Sequence, residues 1–298
     1  MMKIAVGFIF ILSKRYIIGI QYKPLHKYHK WLYPLQNKLC KIFNTKKIGH
    51  TGTLDPIASG VLVCVCGKYT KLVNDLTSLD KEYIATIKLG IKTDTLDTKG
   101  TIIEEKDVNV TLDDIKKVFN NFPKSYNQTV PKYSAVKING KKLYEYARNN
   151  IDIKLPVRKV EIYSLELLDF DGTSITFKTK VSKGTYIRSL IEDICNDLNT
   201  IGTMSNLIRT KQGNFSIEES YTLNDIENGN YKPLSIHEFL NYPSIEIPDE
   251  YLKLIINGNK IPNSFNIKGK VIFTKSNKDY AIYINEFNVL KPYIMLNE

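Results

Sequence analysis

Two stretches of strict alternation commit this chain to a sheet. In residues 83–89, Tyr83, Ala85, Ile87 and Leu89 share one side; in residues 174–181, Ile175, Phe177, Thr179 and Val181 do. Side chains alternate across a strand, so each stretch carries one apolar face that must be covered. Two helices supply cover. Thr111-Leu-Asp-Asp114 has the form of a capping box and opens a helix with the stripe Leu112, Ile115, Val118, Phe119 and Phe122. A second starts near Ser189, after the turn Ser182-Lys-Gly184, and buries Leu190, Ile191, Ile194 and Leu198. Strands and helices alternate without the rhythm of a doubly wound sheet. The expected class is α/β in the α+β sense: a mixed, mainly antiparallel sheet flanked by helices.

The 298 residues suit one large domain and one small one. Residues 228–249 turn Asn-, Gly- and Pro-rich, which places a boundary between a domain at 1–235 and a module at 245–298. The module reads as a short helix, Tyr251 to Ile256, stopped by Asn257-Gly258, and strands near 269–274, 279–284 and 289–295. Asn285-Glu-Phe-Asn288 joins the last two.

Charge points to a polyanionic partner. The chain carries a formal +11, and its first 54 residues hold ten Lys/Arg and no acid, so the first carboxylate is Asp55. Tyr22, Tyr28, His29, Trp31 and Tyr33 are interleaved there, a composition that suits stacking on RNA bases. Arginine is scarce: Arg15, Arg148, Arg158, Arg188 and Arg209 are the five. In a Lys-dominated chain, arginine is favoured where a planar fork is needed. Cys40, Cys64, Cys66 and Cys195 show neither metal spacing nor a disulfide framework. Cys64 and Cys66 read as core residues, and a reducing compartment is implied. No apolar stretch reaches transmembrane length, and Ile4 to Leu12 reads as a strand rather than an export signal because it lacks a small-residue cleavage site.

Gly49-His-Thr-Gly-Thr-Leu-Asp-Pro-Ile-Ala-Ser-Gly60 carries the chemistry. Glycine, proline and small hydroxyl residues let backbone approach a ligand closely. Asp-Pro is ordinary turn chemistry; a carboxylate so placed is also a candidate nucleophile. The loop has no Gly-Lys-Ser/Thr ending and is not a P-loop. Asp94 and Asp97 raise a metal site, but hydrogen bonds that stabilise their own loop are the preferred reading.

This loop resembles the catalytic motif of the TruB family of pseudouridine synthases. So, in the same order, do Asp80-Lys-Glu-Tyr83, the segment Leu89 to Gly100, Pro131-Lys-Tyr-Ser-Ala-Val-Lys137, Gly140 to Arg148, Val181-Ser-Lys-Gly-Thr-Tyr-Ile-Arg188, and Leu207, Ile208, Arg209, Thr210 with Gly213. The resemblance spans roughly residues 41–216. It implies isomerisation of uridine 55 to pseudouridine in the TΨC stem-loop of tRNA, with no cofactor and no metal. It implies Asp55 as nucleophile at C6 of the uracil or C1′ of the ribose, or as the base that first takes a ribose proton. Tyr83 would stack on the flipped base and help move the C5 proton. Arg188 would pair with Asp55, keeping it ionised and oriented. His50 would fill the space left by the base, Tyr186 would line the pocket, Lys137 and Lys183 would meet phosphate or motif backbone, and Leu207 and Arg209 would complete the RNA-binding set. The C-terminal module resembles a PUA-type RNA-binding barrel in length and position.

Residues 12–45 depart from the family pattern. Lys23-Pro24 is followed by Leu-His-Lys, and the stretch from Gly7 to His50 is about a dozen residues longer than the resemblance leads one to expect. The expected actor is a stand-alone monomer in the cytoplasm, with an organelle left open, that needs no guide RNA and no membrane. The alternatives are a guide-RNA-dependent rRNA pseudouridine synthase and a non-catalytic chaperone of tRNA folding.

Overall fold

The computed structural model describes residues 8–12, 19–22, 32–231 and 235–296. Nine strands follow one path: β1 (Phe8–Leu12), β2 (Gly19–Tyr22), β3 (Ala58–Cys66), β4 (Lys81–Leu89), β5 (Ser125–Thr129), β6 (Val157–Phe170), β7 (Ser174–Val181), β8 (Gly202–Gln212) and β9 (Tyr221–Thr222). Across the sheet they run β1-β9-β2-β3-β8-β4-β7-β6-β5, and short strands Ile48–His50 and Phe215–Ser216 complete eleven. β3 runs parallel to β1 and β8, and β9 runs parallel to β2; the other pairings are antiparallel. The mixed, mainly antiparallel sheet is as the sequence leads one to expect.

All nine residues of β3 are buried, because it is covered on both faces. Val61, Val63 and Val65 face one cluster; Leu62, Cys64 and Cys66 face another with Leu35 and Leu39 of the helix Leu32–Ile42. Cys64 and Cys66 are therefore core residues, and burial pushes their thiols up. Such a strand reads as one apolar run, with no alternation. β4 and β7 do alternate: Ala85, Ile87 and Leu89, then Ile175, Phe177 and Val181, pack under Ile115, Phe119, Leu190, Ile191 and Ile194.

Three local expectations are corrected. Thr111 and Asp114 form the capping box, but Leu112 is exposed, since the first helical position points away from the sheet. The second helix runs Ile187–Asp197 and begins before Ser189, so Arg188 lies in its first turn. In the module, the last two strands are Lys278–Glu286 and Val289–Met295, so only Phe287 and Asn288 make the turn, both with positive φ, the geometry of a tight two-residue hairpin.

The module's five-stranded sheet runs from Ser244 to Met295, with the helix Asp249–Ile256 against it; its curled sheet fits a PUA-like module. Ile272, Ile282 and Ile294 share an apolar cluster with Val61, Val63, Leu72 and Leu76. The module thus packs directly on the element that follows β3. No helix among the described residues is long and apolar enough to cross a membrane. The side chains of Tyr22, Tyr28, His29, Trp31 and Tyr33, the Lys23-Pro24 segment, and most of the basic amino-terminal stretch lie outside what is described.

Candidate active site

Asp55 sits in the loop between the strand Ile48–His50 and β3. Leu54, 4% exposed, anchors this loop in the core, and the Ala58 amide donates to the Asp55 carbonyl at 2.9 Å. The Asp55 side chain keeps 32% of its surface exposed. Arg188, only 6% exposed, meets it as a fork: Nε donates to Oδ2 at 3.0 Å and Nη2 to Oδ1 at 3.1 Å. Two carboxylate oxygens and two parallel N–H groups fix both distance and plane. The remaining donors are directed too. Nη1 bonds the Thr95 carbonyl at 3.0 Å, and Nη2 also bonds the Tyr133 carbonyl at 3.1 Å. The guanidinium is thus held by two backbone carbonyls before it meets the carboxylate.

The corner that presents Arg188 is itself fastened. The Tyr186 amide donates to Gln128 Oε1 at 2.8 Å, Gln128 Nε2 donates to the Tyr126 hydroxyl, and that hydroxyl donates to Asp193 Oδ2 at 2.8 Å. Ser189 Oγ bonds the Thr129 carbonyl. Helix, β5 and turn are therefore one hydrogen-bonded unit. The loop that supplies Thr95 is tied by its own acids: Asp97 Oδ1 accepts from the Lys99 amide and Thr95 Oγ1, and Asp94 accepts from the Thr101 amide and the Tyr133 hydroxyl. Both aspartates act as loop-stabilising acceptors.

Beneath the Asp55 loop, one row of residues crosses four strands: Gly60 of β3, Arg209 of β8, Tyr83 of β4 and Thr179 of β7. Gly60 has φ +111°, and a Cβ there would stand 2.2 Å from the Arg209 carbonyl oxygen, so no larger residue fits without moving β8. Arg209 is 2% exposed; its Nε donates to the Val61 carbonyl at 2.6 Å and Nη2 to Gly52 at 3.3 Å. It anchors the loop from below. Leu207, 4% exposed, belongs to the core beside Ala58. Neither is a surface group: both are paired in register with the floor of the loop and are covered by it.

Tyr83 is half-buried beside Arg209, and burial pushes its phenol up while the guanidinium opposes the shift, so it stays protonated at neutral pH. His50 is half-buried at the loop's start, its Nδ1 accepting from the Gly52 amide at 3.4 Å; burial and then the Arg209 charge hold the imidazole below its ordinary range, so it is uncharged at neutral pH. Tyr186 is half-buried at the Arg188 corner. Lys183 lies exposed in the preceding turn, and Lys137 lies exposed on a small hairpin with Asn139-Gly140 at its tip. The structure thus gathers Asp55, Arg188, Tyr83, His50 and Tyr186, sets Lys137 and Lys183 on the exposed surface, and withdraws Leu207 and Arg209 beneath. Among the described residues no cluster of His, Cys, Asp or Glu is arranged to hold a metal ion.

Lys81 lies next to this row. It is 8% exposed, and its Nζ donates to the Thr77 and Leu79 carbonyls at 2.5 and 2.6 Å. Burial, aided by Arg209, pushes its pKa down to about 8 from 10.5. Between those values the unfolded chain binds a proton that the folded one lacks, so this group makes folding stability rise with pH from about 8 to about 10, while below about 8 its cost is constant. Lys81→Met should flatten that slope in urea titrations across this window; an unchanged slope would contradict it.

The site is a buried guanidinium clamping a part-exposed carboxylate, on a mixed sheet with a small β module. Solved structures of this architecture include an H/ACA RNP bound to a substrate RNA containing 2′-deoxyuridine, with TM-score 0.68, 21% identity, and 100% of this chain and 92% of that one covered. A Cbf5–Nop10–Gar1 complex gives TM-score 0.65 at 24% identity over 99% of this chain and 84% of that one. The family model described as TruB family pseudouridylate synthase (N terminal domain) matches residues 40–187. Proteins named tRNA pseudouridine synthase B are similar over most of their length: 42% identical in Caldanaerobacter subterraneus subsp. tengcongensis, covering 82% of this chain and 86% of the relative, and 41% in Mycoplasma mycoides subsp. mycoides, covering 84% and 87%. The chain belongs to the TruB family of pseudouridine synthases.

Two kinds of site residue escaped sequence reasoning. Thr95 and Tyr133 act through backbone carbonyls, which no side-chain motif announces, although both fall inside motifs already noted. Gln128 and Gln212 are buried amides whose partners lie far along the chain.

Proposed function

We propose that this enzyme converts uridine 55 of the tRNA TΨC loop to pseudouridine, with Asp55 as nucleophile, acting as a cytoplasmic monomer without a guide RNA. The observation that carries the reading is the Asp55–Arg188 fork: a carboxylate held in plane from behind, with part of its surface open to a substrate. The names of the bacterial relatives support tRNA as the substrate.

In the reaction the C1′–N1 bond breaks, the base turns, a C1′–C5 bond forms, the C5 proton leaves and N1 ends protonated. Nothing is oxidised and no group is donated. Attack at C6, attack at C1′ and initial removal of a ribose proton all begin from the same positioned carboxylate. The target base must first leave its stack, which costs a few kcal/mol, offset by stacking on Tyr83 and contacts with Tyr186. The uncharged His50 ring suits the apolar gap left behind. Lys137 and Lys183 meet phosphate or motif backbone, and Leu207 and Arg209 complete the RNA-binding set from beneath the loop. Residues 1–235 form the catalytic domain, and 245–298 the PUA-like module that extends the RNA contact.

The test is incubation with a bare, unmodified tRNA transcript, followed by site-resolved pseudouridine mapping. Product at position 55 is expected. Product only after a guide RNA is added, or tRNA binding with no product, would overturn the reading.

A further inference from the structure

The segment Gly67–Thr77, which follows β3, is gripped from two sides. On one side is the C-terminal module. Lys270 Nζ lies 2.5 Å from Asp75 Oδ1 and 4.0 Å from the centroid of the Tyr293 ring. The Tyr293 hydroxyl donates to the Lys71 carbonyl at 2.7 Å, and Lys71 Nζ donates back to the Tyr293 carbonyl at 3.1 Å. With side-chain exposures of 14% and 26%, the Lys270–Asp75 pair is shielded enough to exceed the value of an ordinary surface ion pair.

On the other side is Gln212, at the end of β8 and wholly buried. Its Nε2 makes two bonds: to the Leu76 carbonyl at 2.9 Å, beside the latched Asp75, and to Thr51 Oγ1 at 2.7 Å. Thr51 is also fully buried, stands four residues before Asp55, and passes its own proton to the Val63 carbonyl at 3.3 Å. Bridging a carbonyl and a hydroxyl in a dry site calls for an uncharged side chain with two N–H donors, which an amide supplies. The same segment also touches the strand that leads into the loop: a Cβ on Gly49 would lie 2.6 Å from Val73 Cγ2, so the Gly49 backbone packs directly against the Val73 side chain.

We infer that Gln212 is a positioning residue for Asp55: it ties the Asp55 loop to the segment on which the C-terminal module is latched, so that docking of the module sets how the carboxylate is held. The inference rests on Asp55 being the nucleophile.

The test uses full-length variants and a tRNA concentration series that reaches saturation. Gln212→Leu should lower kcat about tenfold with KM unchanged, the pattern of a group that acts on the reacting geometry and not on binding. Thr51→Val should match it, and Thr51→Ser, which keeps the hydroxyl, should restore turnover. Lys270→Met should lower kcat by a smaller factor, about threefold, and add nothing in the Gln212→Leu background, because coupled residues are non-additive. Wild-type kcat in Gln212→Leu, a loss confined to KM, or independent effects of Lys270→Met and Gln212→Leu would overturn the inference. Should Gln212→Leu fold poorly by thermal melting, Thr51→Val against Thr51→Ser decides the matter. Turnover by Asp55→Asn would remove the nucleophile assignment itself; an inactive Asp55→Asn beside a normal Gln212→Leu would remove only the positioning role.

Discussion

Asp55→Asn is expected to abolish pseudouridine formation, by at least about a thousandfold, while tRNA affinity changes little. Asparagine has the same shape, so the loop pinned by Leu54, Thr51 and Arg209 has no reason to move. The amide can still accept from Arg188 through its one oxygen. What it loses is the second oxygen of the fork and the negative charge on which the proposed nucleophilic role depends. Single-turnover mapping of pseudouridine, with filter binding of the same tRNA, separates the two effects. Appreciable turnover in the variant would end the assignment.

Arg188→Lys should be nearly as damaging even though it conserves charge. The guanidinium uses one plane to bond Asp55 twice and the Thr95 and Tyr133 carbonyls once each. An ammonium is a point donor on a flexible stem and cannot satisfy all four contacts from one position. A drop in kcat of about a hundredfold is expected, equivalent to about 2.7 kcal/mol of lost transition-state stabilisation. Arg188→Met leaves the two carbonyls without their donor and should also lower folding stability, by about 1–3 kcal/mol for each carbonyl left buried and unpaired. Urea unfolding of both variants against kcat distinguishes the catalytic from the structural loss: lysine should lose mainly turnover, methionine both. Equal retention of kcat in Arg188→Lys would show that the fork is unnecessary.

Much of the architecture was legible because local physics and tertiary need coincide in β4 and β7, where one covered face produces alternation. The Thr111 capping box was legible for the same reason. β3 gave no period, since both of its faces are covered, and only its apolar run betrayed it. The Asp55–Arg188 pair was legible because each of its members stands in a motif of its own, and Tyr83 stands in a third. The site was illegible where support comes from backbone, as at Thr95 and Tyr133, or from a buried amide whose partners are remote, as at Gln212. Arg209 shows the converse: a motif marks it as important without saying whether it faces the RNA or the loop, and only the register opposite Gly60 places it beneath.

The carboxylate and its guanidinium are 133 residues apart in the chain. As synthesis proceeds, the Asp55 segment emerges long before its partner exists, and β8, which holds it from below, emerges later still. Closing so wide a separation belongs to the slow, non-local part of assembly. A nascent or partly refolded chain can therefore carry most of its hydrogen-bonded framework and remain inert, so that recovery of turnover during refolding should lag behind recovery of secondary structure and report the final docking of the Arg188 helix.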